Sequence, residues 1–109
     1  MKNPEYVYVS GPMTGKAGLN FSAFQKATRL LRKAGYKVCS PAELDGDSRQ
    51  GMTWAECLRR DIIIMMQRCN KIVLLSGWFG SRGAKLEVFI AWVLGFEVHY
   101  VGYYLGKKR

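Results

Sequence analysis

Residues 71–95 read KIVLLSGWFGSRGAKLEVFIAWVLG, and this stretch decides the fold. Residues 71–76 are almost continuously apolar, which is typical of a strand buried on both faces of a parallel sheet. A glycine-rich loop follows, after which Ser81 fits the N-cap of an apolar helix over about residues 82–94. Gly95 supplies the stop signal of that helix. The stretch therefore predicts a strand, a loop and a helix, in that order.

The same alternation runs through the rest of the chain. Further strands are predicted at residues 5–10, 36–39 and 97–102. Helices are predicted at residues 21–34, with Asn20 as N-cap, and at residues 54–68, where Thr53 and Glu56 form a capping-box pattern. The polar residues 42–51 are predicted to form a surface loop. The order β-α-β-α-β-α-β indicates one Rossmann-like or flavodoxin-like α/β domain over residues 1–109, with a parallel sheet of four or five strands and helices on both faces.

Composition narrows the class of protein. The chain has 109 residues, of which 49% are hydrophobic, and this favours one globular domain. No apolar run reaches the roughly 18 residues that span a membrane, and no secretory signal is visible, so we expect a cytoplasmic protein. The three cysteines are widely spaced and there is one histidine, which favours buried free thiols over a zinc site. We expect no metal and no redox cofactor.

The net charge of +9 has two interpretations. Clustered lysines and arginines neutralise nucleic-acid phosphates, whereas a generally basic surface attracts small anionic substrates. The basic residues are spread along this chain and lack the interleaved exposed aromatics of a stacking platform. The pattern therefore argues against nucleic acid as the partner.

Two glycine-rich loops follow the first and third strands, which are predicted neighbours. Such loops let backbone N–H groups approach an anion, and ligands of open α/β sheets bind beyond the carboxyl ends of the strands. The first loop (Ser10, Gly11, Pro12, Met13) is neither a P-loop nor a dinucleotide fingerprint, and taken alone it equally fits an ordinary turn. In the second loop, the Ser81 hydroxyl beside free helix N–H groups suits a phosphate or a sugar hydroxyl, and Gly83 leaves space for it.

Three polar side chains are candidates for chemistry. Glu87 lies among apolar neighbours in its helix, where a carboxylate needs a partner or a task, so a functional role is favoured over a surface salt bridge. Asp61 precedes an apolar run and fits equally well an ion pair with a neighbouring arginine. Tyr8 is either a core aromatic or a hydroxyl placed at the end of the strand.

Taken together, these motifs resemble the nucleoside 2-deoxyribosyltransferase superfamily, and in particular its short, phage-associated members, which are described only as domains of unknown function. The likeness rests on the following segments: Y-V-S-G-P-M-T-G (8–15), N-F (20–21), A-G-Y-K-V (34–38), S-P-A-E (40–43), W-A-E-C-L-R-R-D (54–61), L-S-G-W (75–78), S-R-G-A-K-L-E (81–87) and A-W-V-L-G (91–95).

The resemblance implies roles for individual residues. Glu87 would be the nucleophile that attacks the anomeric carbon, Tyr8 would orient it, and Asp61 would bond or protonate the leaving base. Residues of the first loop would line the floor of the pocket: Ser10, Gly11 and Met13. Base-exchanging transferases carry an aspartate where this chain has Ser81, whereas the nucleotide hydrolases carry a serine there and use it on the phosphate.

The serine at residue 81, together with Arg82 and the overall positive charge, thus favours a nucleoside 5′-monophosphate as substrate and water as acceptor. The leading hypothesis is a nucleotide N-glycosidase or deoxyribosyltransferase-like enzyme that forms a homodimer or a larger homo-oligomer. The superfamily often completes its site with a residue of a neighbouring subunit near the C-terminus, and no such residue is identifiable here. Two alternatives stay open, namely a non-catalytic nucleotide-binding module and a nucleic-acid-binding accessory protein.

Overall fold

The computed structural model describes residues 6–13, 16–45 and 51–107. Its strands are β1 (Tyr6–Ser10), β2 (Lys37–Cys39), β3 (Lys71–Leu74) and β4 (Glu97–Tyr100). Its α-helices are α1 (Phe21–Lys33), α2 (Pro41–Asp45), α3 (Trp54–Arg68), α4 (Arg82–Val93) and α5 (Val101–Lys107), and short 3₁₀ helices lie at Ala17–Asn20 and Trp78–Gly80.

The four strands form one parallel sheet in the order β2-β1-β3-β4. Tyr8 is paired with Cys39 on one side and Ile72 on the other, and Ser10 is paired with Leu74. The chain proceeds outward in opposite directions from β1 and β3, so the switch point of the topology lies between these strands. The predicted Rossmann-like α/β fold with a parallel sheet is confirmed, with four strands in the described residues.

Alternation along β1 explains how the sheet acquires helices on both faces. Val7 and Val9 point to the face that α1 and α5 cover, in a core that includes Phe24, Leu31 and Tyr104. Tyr8 points to the opposite face and packs in a second core with Met65 of α3 and Ala91 of α4. Tyr8, and by the same period-2 alternation Ser10, therefore lie on the side of the sheet that α3 and α4 cover.

The local signals at the helix ends are mostly confirmed. Thr53 and Glu56 form the complete capping box, and the Ser81 hydroxyl accepts a hydrogen bond from the Ala84 N–H. Asn20 is the exception, since it does not cap α1 through its side chain. It has a left-handed backbone with φ 62°, and its amide instead donates to the Pro12 carbonyl.

The C-terminal segment differs from the prediction of a strand over residues 97–102. The strand ends at Tyr100 and the chain continues as α5, because Tyr104 is buried completely in the α1-side core. Its hydroxyl lies 2.9 Å from the Ile72 carbonyl oxygen, and the Tyr36 hydroxyl donates to its carbonyl. Consequently α4, which carries Glu87, is not the last helix. Lys108 and Arg109 lie outside the described residues.

A second difference is α2, which occupies the start of the predicted surface loop. Pro41 suits the first position of a helix, and Ala42 is buried against the α1-side core. Glu43 forms a two-pronged ion pair with Arg32 of α1, with N–O distances of 2.6 and 2.7 Å. Tertiary packing thus imposes a helix on a sequence that looks polar and loop-like. Residues 46–50 of the predicted loop lie outside the described residues.

The cysteines Cys39, Cys57 and Cys69 are buried free thiols, as predicted. In the described ranges, no three His, Cys, Asp or Glu side chains are grouped so as to hold a metal ion. In the same ranges, no helix is both long enough and apolar enough to cross a bilayer.

Candidate functional site

Glu87 lies on the face of α4 that packs onto the sheet. Ala84 and Ala91 share this face at the i−3 and i+4 positions, and all three residues are buried. The small alanine side chains let the helix approach the sheet closely, and Glu87 is only 5% exposed. Its carboxyl group therefore sits inside the protein, above the carboxyl end of β1.

Two hydroxyl groups of β1 hold this carboxyl group. The Tyr8 hydroxyl donates to Oε2 of Glu87 at 2.8 Å, and the Ser10 hydroxyl donates to Oε1 at 2.7 Å. The donors are two residues apart on one strand, so the pleat aims both at the same helix. Each carboxylate oxygen thus receives one buried hydrogen bond, which fixes the orientation of the group.

Burial dominates the electrostatics of the site. It raises the pKa of Glu87 to about 8; the hydrogen bonds from Ser10 and Tyr8 act in the opposite direction, and the charge of Asp61 raises it further. The pKa of Tyr8 is likewise raised well above 10, by burial first and then by the neighbouring Glu87 carboxylate. Burial therefore favours the neutral form of the Glu87 carboxyl group, and Tyr8 remains a neutral donor.

Asp61 projects from α3 towards the same place and is also buried. Nε and Nη2 of Arg60 donate to its Oδ1 at 3.0 and 2.8 Å. The ion pair that was one of its two interpretations is therefore present. Asp61 and Glu87 nevertheless line the same cavity, which is described below. The ion pair with Arg60 therefore leaves Asp61 in the site.

A groove connects these acids to solvent. Its inner part is a cavity of about 50 Å³ that Asp61, Glu87 and the first loop line. Its outer part has a volume of about 430 Å³. Trp54, Ser81 and Gly83 line both parts, so the two parts adjoin each other.

The start of α4 forms one wall of the outer groove. The Ser81 hydroxyl caps the helix, and the Arg82 guanidinium lies 4.6 Å from the centre of the Trp54 ring. A side chain at Gly83 would contact Leu58 at 3.5 Å, so glycine leaves this wall open. A helix N-terminus, a hydroxyl and a guanidinium together suit an anionic group.

The structure brings all nine sequence-predicted residues to one place. Tyr8 and Ser10 hold Glu87, and the inner cavity is lined by the others except Arg82: Gly11, Met13, Asp61, Ser81, Gly83 and Glu87. Arg82 lines only the outer groove. Thr14 and Gly15, the end of the first motif, lie outside the described residues. The chemical roles of the nine residues stay predictions.

Sequence reasoning missed several residues of the wall. Pro41 follows β2 at the same sheet edge, and Cys57 and Leu58 of α3 line the inner cavity. Together with Trp54 and Asp61, the two α3 residues have the i, i+3, i+4, i+7 spacing of one helix face. This spacing can be read from the sequence. Once Asp61 is a candidate, the spacing therefore identifies the other α3 residues of the wall.

Gly11→Ala is expected to lower the free energy of unfolding by about 1–3 kcal/mol, as for overpacked cores. A Cβ at residue 11 would lie 2.6 Å from Cβ of the buried Leu75, which cannot rotate away. Urea unfolding measures the change. Gly80→Ala is the matched control, because a Cβ there meets nothing within 4 Å. Equal unfolding midpoints for the two variants would show that the loop does not need a glycine at residue 11.

Comparison with known proteins adds a family assignment. No curated protein and no solved structure matches the chain. A family model described as Domain of unknown function (DUF4406) matches residues 5–100, which include every residue of the site. The chain therefore belongs to the DUF4406 family.

Proposed function

We propose that this protein is a nucleotide N-glycosidase, related to the nucleoside 2-deoxyribosyltransferases that its motifs resemble. It cleaves the bond between base and sugar in a nucleoside or deoxynucleoside 5′-monophosphate. The observation that carries the proposal is the buried Glu87 carboxyl group, which Tyr8 and Ser10 hold at the bottom of an open groove. A cytoplasmic location is part of this proposal.

In the proposed reaction, an oxygen of ionised Glu87 attacks the anomeric carbon of the sugar. The bond from that carbon to the base nitrogen breaks, its electron pair stays with the base, and the base takes up a proton from a water molecule beside the Asp61 carboxylate. A glycosyl ester on Glu87 results. Water then attacks the anomeric carbon and passes a proton to solvent; the bond between that carbon and the Glu87 oxygen breaks with its electron pair on Glu87, which releases the sugar phosphate and regenerates the carboxylate. Tyr8 and Ser10 fix the carboxyl group throughout by their hydrogen bonds.

The outer groove supports a phosphate on the substrate. The Ser81 hydroxyl, the first N–H groups of α4 and the Arg82 guanidinium surround a volume of about 430 Å³ at the mouth. In the inner cavity, the carboxyl group of Glu87 would face the sugar. A 5′-monophosphate fits this division, since its phosphate and its anomeric carbon lie at opposite ends of one furanose.

A panel of nucleosides and their 5′-monophosphates, incubated with the protein and analysed for free base, tests the proposal. We expect base release from at least one monophosphate and a tenfold or greater loss for the matching nucleoside, since a charge-assisted contact contributes about 1.5–3 kcal/mol. Arg82→Gln should reduce this preference. Lys85→Gln, one turn along the same helix, is the matched control. A protein that binds no member of the panel would overturn the proposal.

A non-catalytic nucleotide-binding module is the second candidate. The raised pKa of Glu87 favours it, because a protonated carboxyl group donates a hydrogen bond to a ligand and is a poor nucleophile. The same panel separates the two functions. Binding of a monophosphate by calorimetry without free base on chromatography would assign the module, whereas free base would assign the enzyme.

The proposal includes a homo-oligomer, and the outer face of α4 supports it. A helix face rich in large apolar side chains is normally buried, yet α4 exposes Leu86, Phe89, Trp92 and Val93 by 42–69%. Ile63 and Met66 of the neighbouring α3 are also exposed. A protein of net charge +9 repels its own copies over much of its surface, so this mostly apolar face, where Lys85 is the neighbouring charge on α4, is where a second copy can pack.

Phe89→Glu is expected to convert the oligomer into a monomer, because it would place two charges in a desolvated interface. Light scattering after size exclusion gives the mass of each form. Phe79→Glu, which changes an exposed phenylalanine outside α4, should leave the oligomer intact. A parent protein that is monomeric at tens of micromolar would contradict self-association.

A further inference from the structure

A second groove lies on the opposite face of the sheet from Glu87. It has a volume of about 450 Å³ and runs between α1 and the ends of β1 and β3, against Val101 at the start of α5. This size is within the usual range for small-molecule sites. The groove borders the topological switch point, the place where open α/β sheets bind ligands. The α3–α4 side of that switch point holds Glu87, and the α1 side holds this groove.

The groove has an apolar floor. Ala23, Ala27 and Leu30 follow the i, i+4, i+7 spacing of one face of α1, and Leu75 packs from the end of β3. The two alanines leave α1 flat here, whereas Phe24 and Leu31 of the same helix fill the core. An apolar floor of this shape favours a ligand with an apolar body.

The charges around the floor have one sign. Among the described residues that line the groove, the charged side chains are Lys16 and Lys26, and both are exposed. No carboxylate joins them in that lining. A ligand that matches the groove therefore carries a negative group beside its apolar part.

The rim of the groove has an unusual backbone. Gly18, Leu19 and Asn20 are three successive residues in the left-handed region, with φ of 57°, 54° and 62°. For non-glycine residues this conformation costs roughly 1–2 kcal/mol each, and such strain clusters at ligand clamps and active sites. The Asn20 side chain lines the groove and donates to the Pro12 carbonyl at 2.9 Å, which ties α1 to the loop after β1.

We propose that this groove is a second binding site, for a small amphipathic anion. Its apolar body, of about one or two rings, lies on Ala23, Ala27 and Leu30. Its carboxylate, sulfonate or phosphate interacts with the ammonium groups of Lys16 and Lys26. The site stands apart from the proposed nucleotide chemistry, because none of the residues named here lines the groove that leads to Glu87.

The test uses 8-anilinonaphthalene-1-sulfonate, which has an apolar ring system and one sulfonate. Titration into ¹⁵N-labelled full-length protein, followed by amide NMR, reports both the affinity and the position of binding. We expect saturable shifts centred on residues 23–30 and 75–76. Shifts that centre on the exposed face of α4 instead would overturn the proposal.

Variants separate this site from general attraction to a basic protein. Lys16→Gln with Lys26→Gln should weaken binding about 5- to 10-fold, as expected for two exposed ion pairs. Lys33→Gln with Lys85→Gln removes the same net charge away from the groove and should change the affinity less than twofold. Equal affinities for the two double variants would contradict the assignment.

A filling variant tests the floor. Ala23→Leu should block the groove and remove the shifts, whereas Ser22→Leu, on the exposed side of α1, should leave them unchanged. Thermal unfolding of both variants shows whether the fold is retained. If Ala23→Leu proves unstable, the lysine variants still decide the question. Binding of the probe by a folded Ala23→Leu protein at the parental affinity would show that the groove is not the site.

Discussion

Glu87→Gln is expected to lower the rate of base release from a nucleoside 5′-monophosphate by about 10⁴-fold or more, on the scale seen when a catalytic nucleophile is removed. An amide nitrogen or oxygen does not form the glycosyl ester, so the covalent route is lost. The glutamine has the shape of the glutamate, and the hydroxyls of Tyr8 and Ser10 can accept as well as donate. The fold and the substrate affinity should therefore persist, and the loss should appear in kcat.

The matched control is Glu97→Gln. Glu97 is a glutamate on β4 with an exposed side chain, which pairs with Lys71 at 3.8 Å, far from the groove. Its substitution should leave base release within about twofold of the parent, as for surface changes in general. Base release by Glu87→Gln at the parental rate would remove Glu87 from the role of nucleophile. Nucleotide binding without base release by any of the three proteins would favour the binding module.

The fold was predictable because its signals are local. The capping box at Thr53 and the N-cap at Ser81 mark helix starts without reference to the rest of the chain. The apolar run of β3 indicates a strand that is buried on both faces. Because strands and helices alternate along the chain, the strands are expected to form a parallel sheet. The two helices that were missed, α2 and α5, depend instead on distant contacts. The helix α5 is stabilised by Tyr104, which is buried in a core formed by residues of α1 and β1. The residues close to Tyr104 in the sequence do not indicate this burial.

The convergence of the site residues was predictable for a topological reason. The carboxyl ends of adjacent parallel strands meet at one sheet edge, so the loops after β1 and β3 had to be neighbours. Glu87 was recognisable because a carboxylate in an apolar helix conflicts with its surroundings. The side of β1 on which Tyr8 lies was not predictable, because Tyr6, Tyr8 and Ser10 share one parity and either face was compatible with it. The hydrogen bonds of Tyr8 and Ser10 needed coordinates.

The stability of the parent protein is expected to fall as pH rises from about 5 to 9, and Glu87→Gln should remove most of this fall. The pKa of Glu87 is about 8 in the folded protein and about 4.5 when the side chain is unburied. Between these values the folded state binds one proton more than the unfolded state, so the free energy of unfolding decreases with pH. The contribution is fully present below about pH 4.5 and is lost as pH passes through 8.

A shift of this size corresponds to roughly 3–6 kcal/mol, since one pKa unit is about 1.4 kcal/mol. The relevant measurement is the difference between the free energies of unfolding of Glu87→Gln and the parent, from urea curves at several pH values. Groups common to both proteins cancel in this difference, so it isolates residue 87. We expect the free energy of unfolding of Glu87→Gln to rise steadily relative to that of the parent above pH 5. At pH 9 the variant should be the more stable protein. Glu97→Gln should follow the parent at every pH.

If the curves of Glu87→Gln and the parent run parallel from pH 5 to 9, the buried carboxyl group is not held in its neutral form. In that case ionisation of Glu87 would cost the folded protein no stability. If the two curves diverge instead, the fold keeps a destabilising carboxyl group at the position where the proposed chemistry needs one.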